Sequence, residues 1–273
     1  MNTLTADDTV EIRSWFDIYT GRFQSDEPDL QAAVTLKKDH TRRVVSEILA
    51  IADSLNLSAQ QRYLAEVIAL LHDIGRFEQY AQYRTFHDRS SVNHAVLGGE
   101  IIEREQILGK FPVQLKDLII SIVTNHNSAS PPESGNIEYD FFLQLVRDAD
   151  KIDILHVVTN YYTYNCTTLK KVIEMDLPDT SGISPGILND LLKYRIAHVE
   201  HLTNLNDFKA LQMGWIFDVN FPRSFQIIAK RRYLEKIHAS ISDHDNADRI
   251  LTVTKRHLER KLNDAGSFDP LRQ

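Results

Sequence analysis

Apolar residues recur three and four positions apart through most of the chain, the spacing that lines one face of an α-helix. After Pro28, the segment DLQAAVTLKKDHTRRVVSEILAIADSLN places Leu36, Val44, Ile48, Ile51 and Leu55 on one stripe, which predicts a long helix with His40 on that stripe. Ser58 and Gln61 have the form of a capping box, and Leu64, Val67, Ile68 and Leu71 then predict a second helix. Gly75 is expected to end it, just after His72 and Asp73. Residues 77 to 90, FEQYAQYRTFHDRS, are aromatic and charged and are expected to form a loop or lid. Ser90 or Ser91 is expected to cap a third helix with His94 in its first turn and Leu97, Ile101 and Ile102 on its apolar face. Pro112 opens a fourth, in which Leu115, Leu118, Ile119 and Ile122 lead to His126.

SASPPESGN at 128 to 136 reads as a loop, and an apolar helix is expected from about Tyr139 past His156. That helix carries Arg147, Asp148, Asp150, Lys151 and Asp153, a dense run of charge for an apolar segment. Further helical patterns, ISPGILNDLLKYR and FQIIAKRRYLEKIHA among them, fill residues 183 to 238. No stretch alternates as a strand would, so the expected fold is all-α.

Composition narrows the class. With 273 residues, 42% hydrophobic and 25% charged, the chain is expected to be globular with a sizeable core, as one domain with a C-terminal extension. A net charge of -7 argues against extended nucleic-acid binding. The opening MNTLTADDTVEIRSW has neither a basic stretch nor an apolar core of the signal-peptide kind, and no long apolar run suggests a membrane span. The single cysteine, Cys166, excludes an intramolecular disulfide and a thiolate cluster and suits a reducing cytoplasm, so a cytoplasmic protein is expected. Tyr161, Tyr162 and Tyr164 read as core and interhelical hydrogen bonding, Trp215-Ile216-Phe217 as core, and Arg231-Arg232 as a solvated face.

Histidine is the compositional outlier, with 11 in the chain, and His40, His72, His94 and His126 prolong the apolar faces of four successive helices. Burying four imidazoles is costly, and coordination of a cation is the simplest common compensation. His40, His72, Asp73, His94, His126 and one later Asp could converge on a divalent ion through nitrogen and oxygen.

The order His40, then His72-Asp73 in ALLHDIGR, then a distant Asp in LVRDADKID resembles the HD-domain superfamily of metal-dependent phosphohydrolases. NHAVLGGEII around His94 and IVTNHN around His126 are similar to the extra histidine positions of two-metal HD proteins, the HD-GYP phosphodiesterases and the HD-fold di-iron oxygenases included. The resemblance implies an HD-domain helical bundle with additional C-terminal helices. It divides the chain into an N-terminal helical segment (1–28), an HD core (29–158) and a C-terminal helical extension packed on the core (159–273). It also implies that His40, His72, Asp73 and the late Asp bind a first ion, and His94 and His126 a second, with Asp73 bridging. For the late Asp the family pattern Ala-Asp-x-x-Asp favours Asp150, whereas helical periodicity favours Asp148. The HD-GYP loop signature is absent after His126, and Asn125 stands where that family has a second His.

The expected activity is hydrolysis of a phosphate ester, with a nucleotide among the candidate small phosphorylated substrates, by water activated at one or two divalent ions (Mn, Fe, Co, Ni, Zn or Mg). Asp73 and Arg76 are the candidate catalytic residues, Arg76 matching a Lys or Arg near the phosphate in relatives. The simpler reading of Arg76 is a solvated pair with Glu78. Lys37, Arg43, Arg84, Arg89, Arg147 and Lys151 are weaker cation candidates, and His87 and Asp88 candidates for a lid. A di-iron oxygenase and a nucleotide-sensing regulatory protein stay open as alternatives, as does a homo-oligomer; no membrane partner is expected.

Overall fold

The computed structural model describes residues 4–129, 134–164, 170–174 and 177–264. Cys166 and residues 130–133 of the expected 128–136 loop lie outside them. Among the described residues there is no strand, so the all-α expectation holds. No helix among them is long and apolar enough to cross a membrane. The chain divides into two compact units, residues 1–150 and 151–273.

The first unit is built on α1 (Ala6–Gly21), α2 (Pro28–Ser54), α3 (Ala59–Leu71), α4 (Gly75–Tyr83), α5 (His94–Arg104) and α6 (Val113–Asn125). The boundary between the units falls inside α7 (Ile137–Tyr164). The stripe on α2 is real: Val44, Ile48 and Ile51 are fully buried. It packs on α3, whose start is the expected capping box, Ser58 N donating to Gln61 Oε1 at 2.9 Å. α1 also packs on α3, and α4 packs on both α2 and α5.

Two local expectations are corrected. Residues 77–83 are helical rather than a loop: Phe77 and Tyr80 turn one narrow face inward with a buried Gln79 between them, and Arg84 in the left-handed region (φ 56°) stops the helix. The cap of α5 is Asn93, not Ser90 or Ser91; its Oδ1 accepts from Ala95 N at 2.9 Å, so His94 is the first helical residue. Asn at this position relieves the unpaired amides of the first turn.

The second unit holds the end of α7 with α8 (Lys170–Glu174), α9 (Pro185–Leu192), α10 (Leu205–Gly214), α11 (Pro222–Arg231), α12 (Tyr233–His238) and α13 (His244–Asp264). α13 packs on α9, α10, α11 and α12. The pattern FQIIAKRRYLEKIHA is two helices, broken where Arg232 takes φ 55°. Tyr161 and Tyr162 behave as expected, their hydroxyls donating to Glu174 (2.6 Å) and Gln212 (3.0 Å), while Tyr164 is exposed. Ile216 is buried as expected, with Trp215 and Phe217 only partly so, and Arg231 and Arg232 are exposed.

Candidate metal centre

Helix ends do most of the positioning. α3 stops at Leu71 and α6 at Asn125, so the residues that follow, His72 and His126, stand beside carbonyls that the helix itself no longer pairs. His72 Nδ1 lies 2.7 Å from Ala69 O and His126 Nδ1 2.7 Å from Val123 O. A carbonyl only accepts, so both rings carry their proton on Nδ1 and, when neutral, present a bare lone pair at Nε2. His40 comes from the middle of α2, His94 from the first turn of α5, Asp73 from the step after His72, and Asp150 from α7.

All six side chains meet. Asp73 lies at the middle: its Oδ2 is 3.3 Å from His40 Nε2 and 3.7 Å from His72 Nε2, and its Oδ1 is 3.3 Å from His94 Nε2 and 3.8 Å from His126 Nε2. Asp150 Oδ1 lies 3.1 Å from His40 Nε2 and 3.8 Å from His72 Nε2. Asp148, fully buried on the same helix, belongs to neither of two groups whose ligand atoms all lie within 4.8 Å of one another: His40, His72 and Asp150, and His72, Asp73 and His126. Either group could hold a metal ion.

The donor set fits a cation on chemical grounds. His94 Nε2 and His126 Nε2 are 3.3 Å apart, and the Nδ1 of each ring is committed elsewhere, to Asp88 and to Val123 O. Two lone pairs therefore face each other with no proton between them. His72 Nε2 is buried with no hydrogen-bond partner among the described residues. A cluster of acceptors turned inward is stabilised by a positive ion and by little else.

The electrostatics agree. Burial, with its neighbouring charges, holds the His94 ring down to about 4 and the His126 ring down to about 3, so both are neutral near pH 7 and available as ligands. Burial works against charge on Asp73, but the Lys37 ammonium, the His72 and His40 imidazoles and Arg76 outweigh it and hold the carboxyl well below the usual range. Burial likewise opposes charge on Asp150, and the neighbouring His40 and His72 imidazoles outweigh it and hold its carboxyl well below the usual range.

An unfolded histidine titrates near ~6.5. The unfolded chain therefore takes up protons that native His94 and His126 refuse, and the native state loses ground as pH falls from ~6.5 toward about 4. The slope is up to ~1.4 kcal/mol per pH unit for each imidazole. Chelator-treated protein should show a denaturant midpoint that falls across this window, and a His94→Asn, His126→Asn double variant should flatten the fall. A midpoint equally pH-dependent in both would refute the assignment. His257, held down to about 4 in the second unit mainly by burial, adds a slope of the same sign that the variant leaves in place.

Two cations border the cluster. Lys37 Nζ donates to Asp73 Oδ2 at 2.6 Å, and Arg76 Nε lies 3.4 Å from Asp73 Oδ1. The Phe86 ring is near both, its centroid 5.4 Å from Lys37 Nζ and 5.7 Å from Arg76 Cζ. Arg76 is not paired with Glu78, which instead receives Tyr19 and Arg104. Its guanidinium donates to Phe86 O (2.6 Å), Gln79 Oε1 (3.0 Å) and Asp88 Oδ1 (3.0 Å). Of the weaker cation candidates, Lys151 pairs with Asp218 and Arg84 with Glu27, while Arg147 donates to His126 O. His87 is exposed, with Nδ1 3.1 Å from Ser90 Oγ, whereas Asp88 reaches inward to His94. His156 lies on α7 beside Asn160, in the second unit. Gln79 and Asn127, which also belong to this network, carry no signal in the sequence because neither a ligand motif nor a helical stripe marks them.

Comparison with known proteins agrees with this arrangement. The family model of the HD domain matches residues 38–155, a span that contains His40, His72, Asp73, His94, His126 and Asp150. A curated Bacillus subtilis (strain 168) protein, named "Putative phosphohydrolase YueE", is 32% identical over 93 residues. The aligned stretch covers 33% of this chain and 52% of that protein, about half its length. No solved structure matches the chain. Helical fold, histidine and aspartate order, and family match coincide over residues 38–155, where the chain is similar to the HD domain.

Proposed function

We propose that this protein is a metal-dependent phosphohydrolase that cleaves a small phosphate ester, with nucleotides as the first substrate class to test. The observation that carries the reading is an inward-facing cluster of acceptors bordered by two cations, Lys37 and Arg76, on the two oxygens of Asp73. In this reading His40, His72, Asp73 and Asp150 would hold one divalent ion, and His94 and His126, with Asp73, would hold a second; residues 29–158 would form the catalytic segment. The bound ion supplies Lewis-acid activation of water and neutralises charge on phosphoryl oxygens. The chain's own residues do the rest. Asp73 divides its two oxygens between the ligand groups, and its negative charge keeps Lys37 and Arg76 at the rim. Those two cations would offer charge-assisted hydrogen bonds to a phosphate beside the half-buried Phe86 ring, which both approach. Two cations beside the cluster favour an anionic substrate over the oxygenase alternative.

A screen of phosphate monoesters and nucleotides with added manganese, cobalt, nickel or magnesium tests the proposal. Metal-stimulated phosphate release that a chelator abolishes is the expected result; no release from any ester with any of these ions would sink it. Within that assay, Arg76→Ala should keep its metal and bind the phosphorylated substrate more weakly, by roughly 1.5 to 3 kcal/mol. A change confined to KM would mean ground-state binding, and an equal fall in kcat and kcat/KM a contact made in the transition state. Unchanged kinetics would remove Arg76 from the site.

A further inference from the structure

We propose that Asp88 is a positioning residue for this centre, fixing the His94 ring with its proton on Nδ1 and its Nε2 lone pair toward Asp73 and His126. The inference rests on the metal reading above and deepens it. The need for such a residue comes from where His94 sits. His72 and His126 follow the last turn of a helix and find unpaired carbonyls three residues back. His94 opens α5, and the start of a helix presents amide N–H groups, not carbonyls. Its Nδ1 has to be held by an acceptor from outside the helix.

Asp88, on the short 3-10 turn Asp88–Ser90, supplies that acceptor with both oxygens, Oδ1 at 2.9 Å and Oδ2 at 2.8 Å from His94 Nδ1. Among the described residues, the other side chains that hydrogen-bond to this carboxylate are all donors: Arg76 NH1 at 3.0 Å and Gln79 Nε2 at 2.8 Å on Oδ1, and Asn127 Nδ2 at 3.0 Å on Oδ2. Only a group that accepts on both oxygens satisfies all of them, so an ionised Asp fits and an amide would turn N–H against N–H. The turn is itself clamped, because the fully buried Gln79 also donates to Ser91 Oγ (3.0 Å) and Val92 O (2.9 Å). Asn127, next to His126, donates to Asn93 Oδ1 (3.0 Å), the cap of α5. The two histidines assigned to the second ion are thus tied, directly or through Asn127, to one carboxylate. A hydrogen bond of this kind selects the tautomer and ring orientation of a ligating imidazole, and its loss costs about 10- to 100-fold in metal affinity.

The test uses the full chain, manganese as the probe, and the variants Asp88→Ala and Asp88→Asn. Calorimetric titration of chelator-treated protein should show two ions on the unchanged chain. On Asp88→Ala the weaker-held ion should lose about 10- to 100-fold in affinity while the other is little affected. Nitrogen-15 spectra of metal-free, histidine-labelled protein above neutral pH, with His94 assigned by its absence in His94→Gln, should show a protonated Nδ1 in the unchanged chain and a mixed tautomer in Asp88→Ala. Asp88→Asn, nearly the same shape and still able to accept through one oxygen, should fold like the unchanged chain and show both changes at smaller size. If both ions bind Asp88→Asn as they bind the unchanged chain and the His94 tautomer does not move, the positioning role is wrong even if Asp88→Ala fails to fold. An unchanged chain that takes up no manganese would instead overturn the metal reading itself, so the two failures are told apart.

Discussion

Replacing Asp73 by Asn should strip the protein of bound metal and lower kcat on the order of 10⁴-fold, the scale seen when one member of a catalytic unit is removed. The substitution keeps the shape of the side chain and changes only its charge and half of its hydrogen-bonding capacity. Oδ1 faces His94, His126 and Arg76, and Oδ2 faces His40, His72 and Lys37. Whichever way the amide is turned, its NH2 enters one of the two ligand groups, where it can donate to a lone pair but cannot bind a cation. Lys37, which is mostly buried, also loses the carboxylate that balances it. Because Lys37 and Arg76 both lose a carboxylate that balances them, the unfolding midpoint should fall as well. Elemental analysis after dialysis, steady-state kinetics and a denaturation curve on the same sample check all three expectations. A variant that keeps its metal and its turnover would show that Asp73 belongs to the scaffold alone.

Much of the centre was legible because histidines sit on apolar stripes. In α2 the run Leu36, His40, Val44, Ile48 has helical spacing, and a polar residue that keeps step with buried neighbours is marked by its position. His72 and His126 extend the stripes of α3 and α6 in the same way. Periodicity reports burial, however, and burial is not coordination: Asp148 is fully buried, yet it is Asp150, two residues on, whose carboxylate lies 3.1 Å from His40. Asp88 was legible only as a loop residue, since its role depends on a chain reversal after α4 that no local pattern encodes. α4 is not legible in the sequence because nine residues with only Phe77 and Tyr80 as large buried apolar side chains give too few repeats to reveal a helical period, and the buried Gln79 breaks the pattern further. The place of Lys37 is hard to read from the sequence for a related reason. It lies one turn before His40 on the same helix, and only the approach of α3 brings Asp73 to it.

Gly75→Ala should be the most destabilising small substitution in the first unit. From the sequence Gly75 reads as a helix terminator, but in the structure it is the first residue of α4, with no left-handed backbone to justify a glycine. Its reason is space. A Cβ there would stand 2.1 Å from His94 O, 2.8 Å from Gly98 N and 3.1 Å from His94 C. All three are backbone atoms of α5, so no side chain can rotate aside, and one helix must move off the other. Overpacking of this kind costs about 1 to 3 kcal/mol, and more where the obstacle is backbone. The same shift would carry His94 away from Asp73, which lies two residues before the glycine and 3.3 Å from the ring. The variant should therefore have a lower unfolding midpoint and, in whatever fraction folds, weaker binding of the ion assigned to His94 and His126. Two controls separate space from backbone entropy. Gly98→Ala meets the Val123 side chain at 3.3 Å as its nearest neighbour, which can give slightly, so its loss should be smaller. Gly21→Ala, with nothing within 4 Å of the added carbon, should be neutral or stabilising by up to ~1 kcal/mol. If Gly75→Ala ranks with Gly21→Ala in a denaturant series, α4 and α5 do not meet backbone to backbone, and the close approach that sets His94 against Asp73 is not held by this glycine.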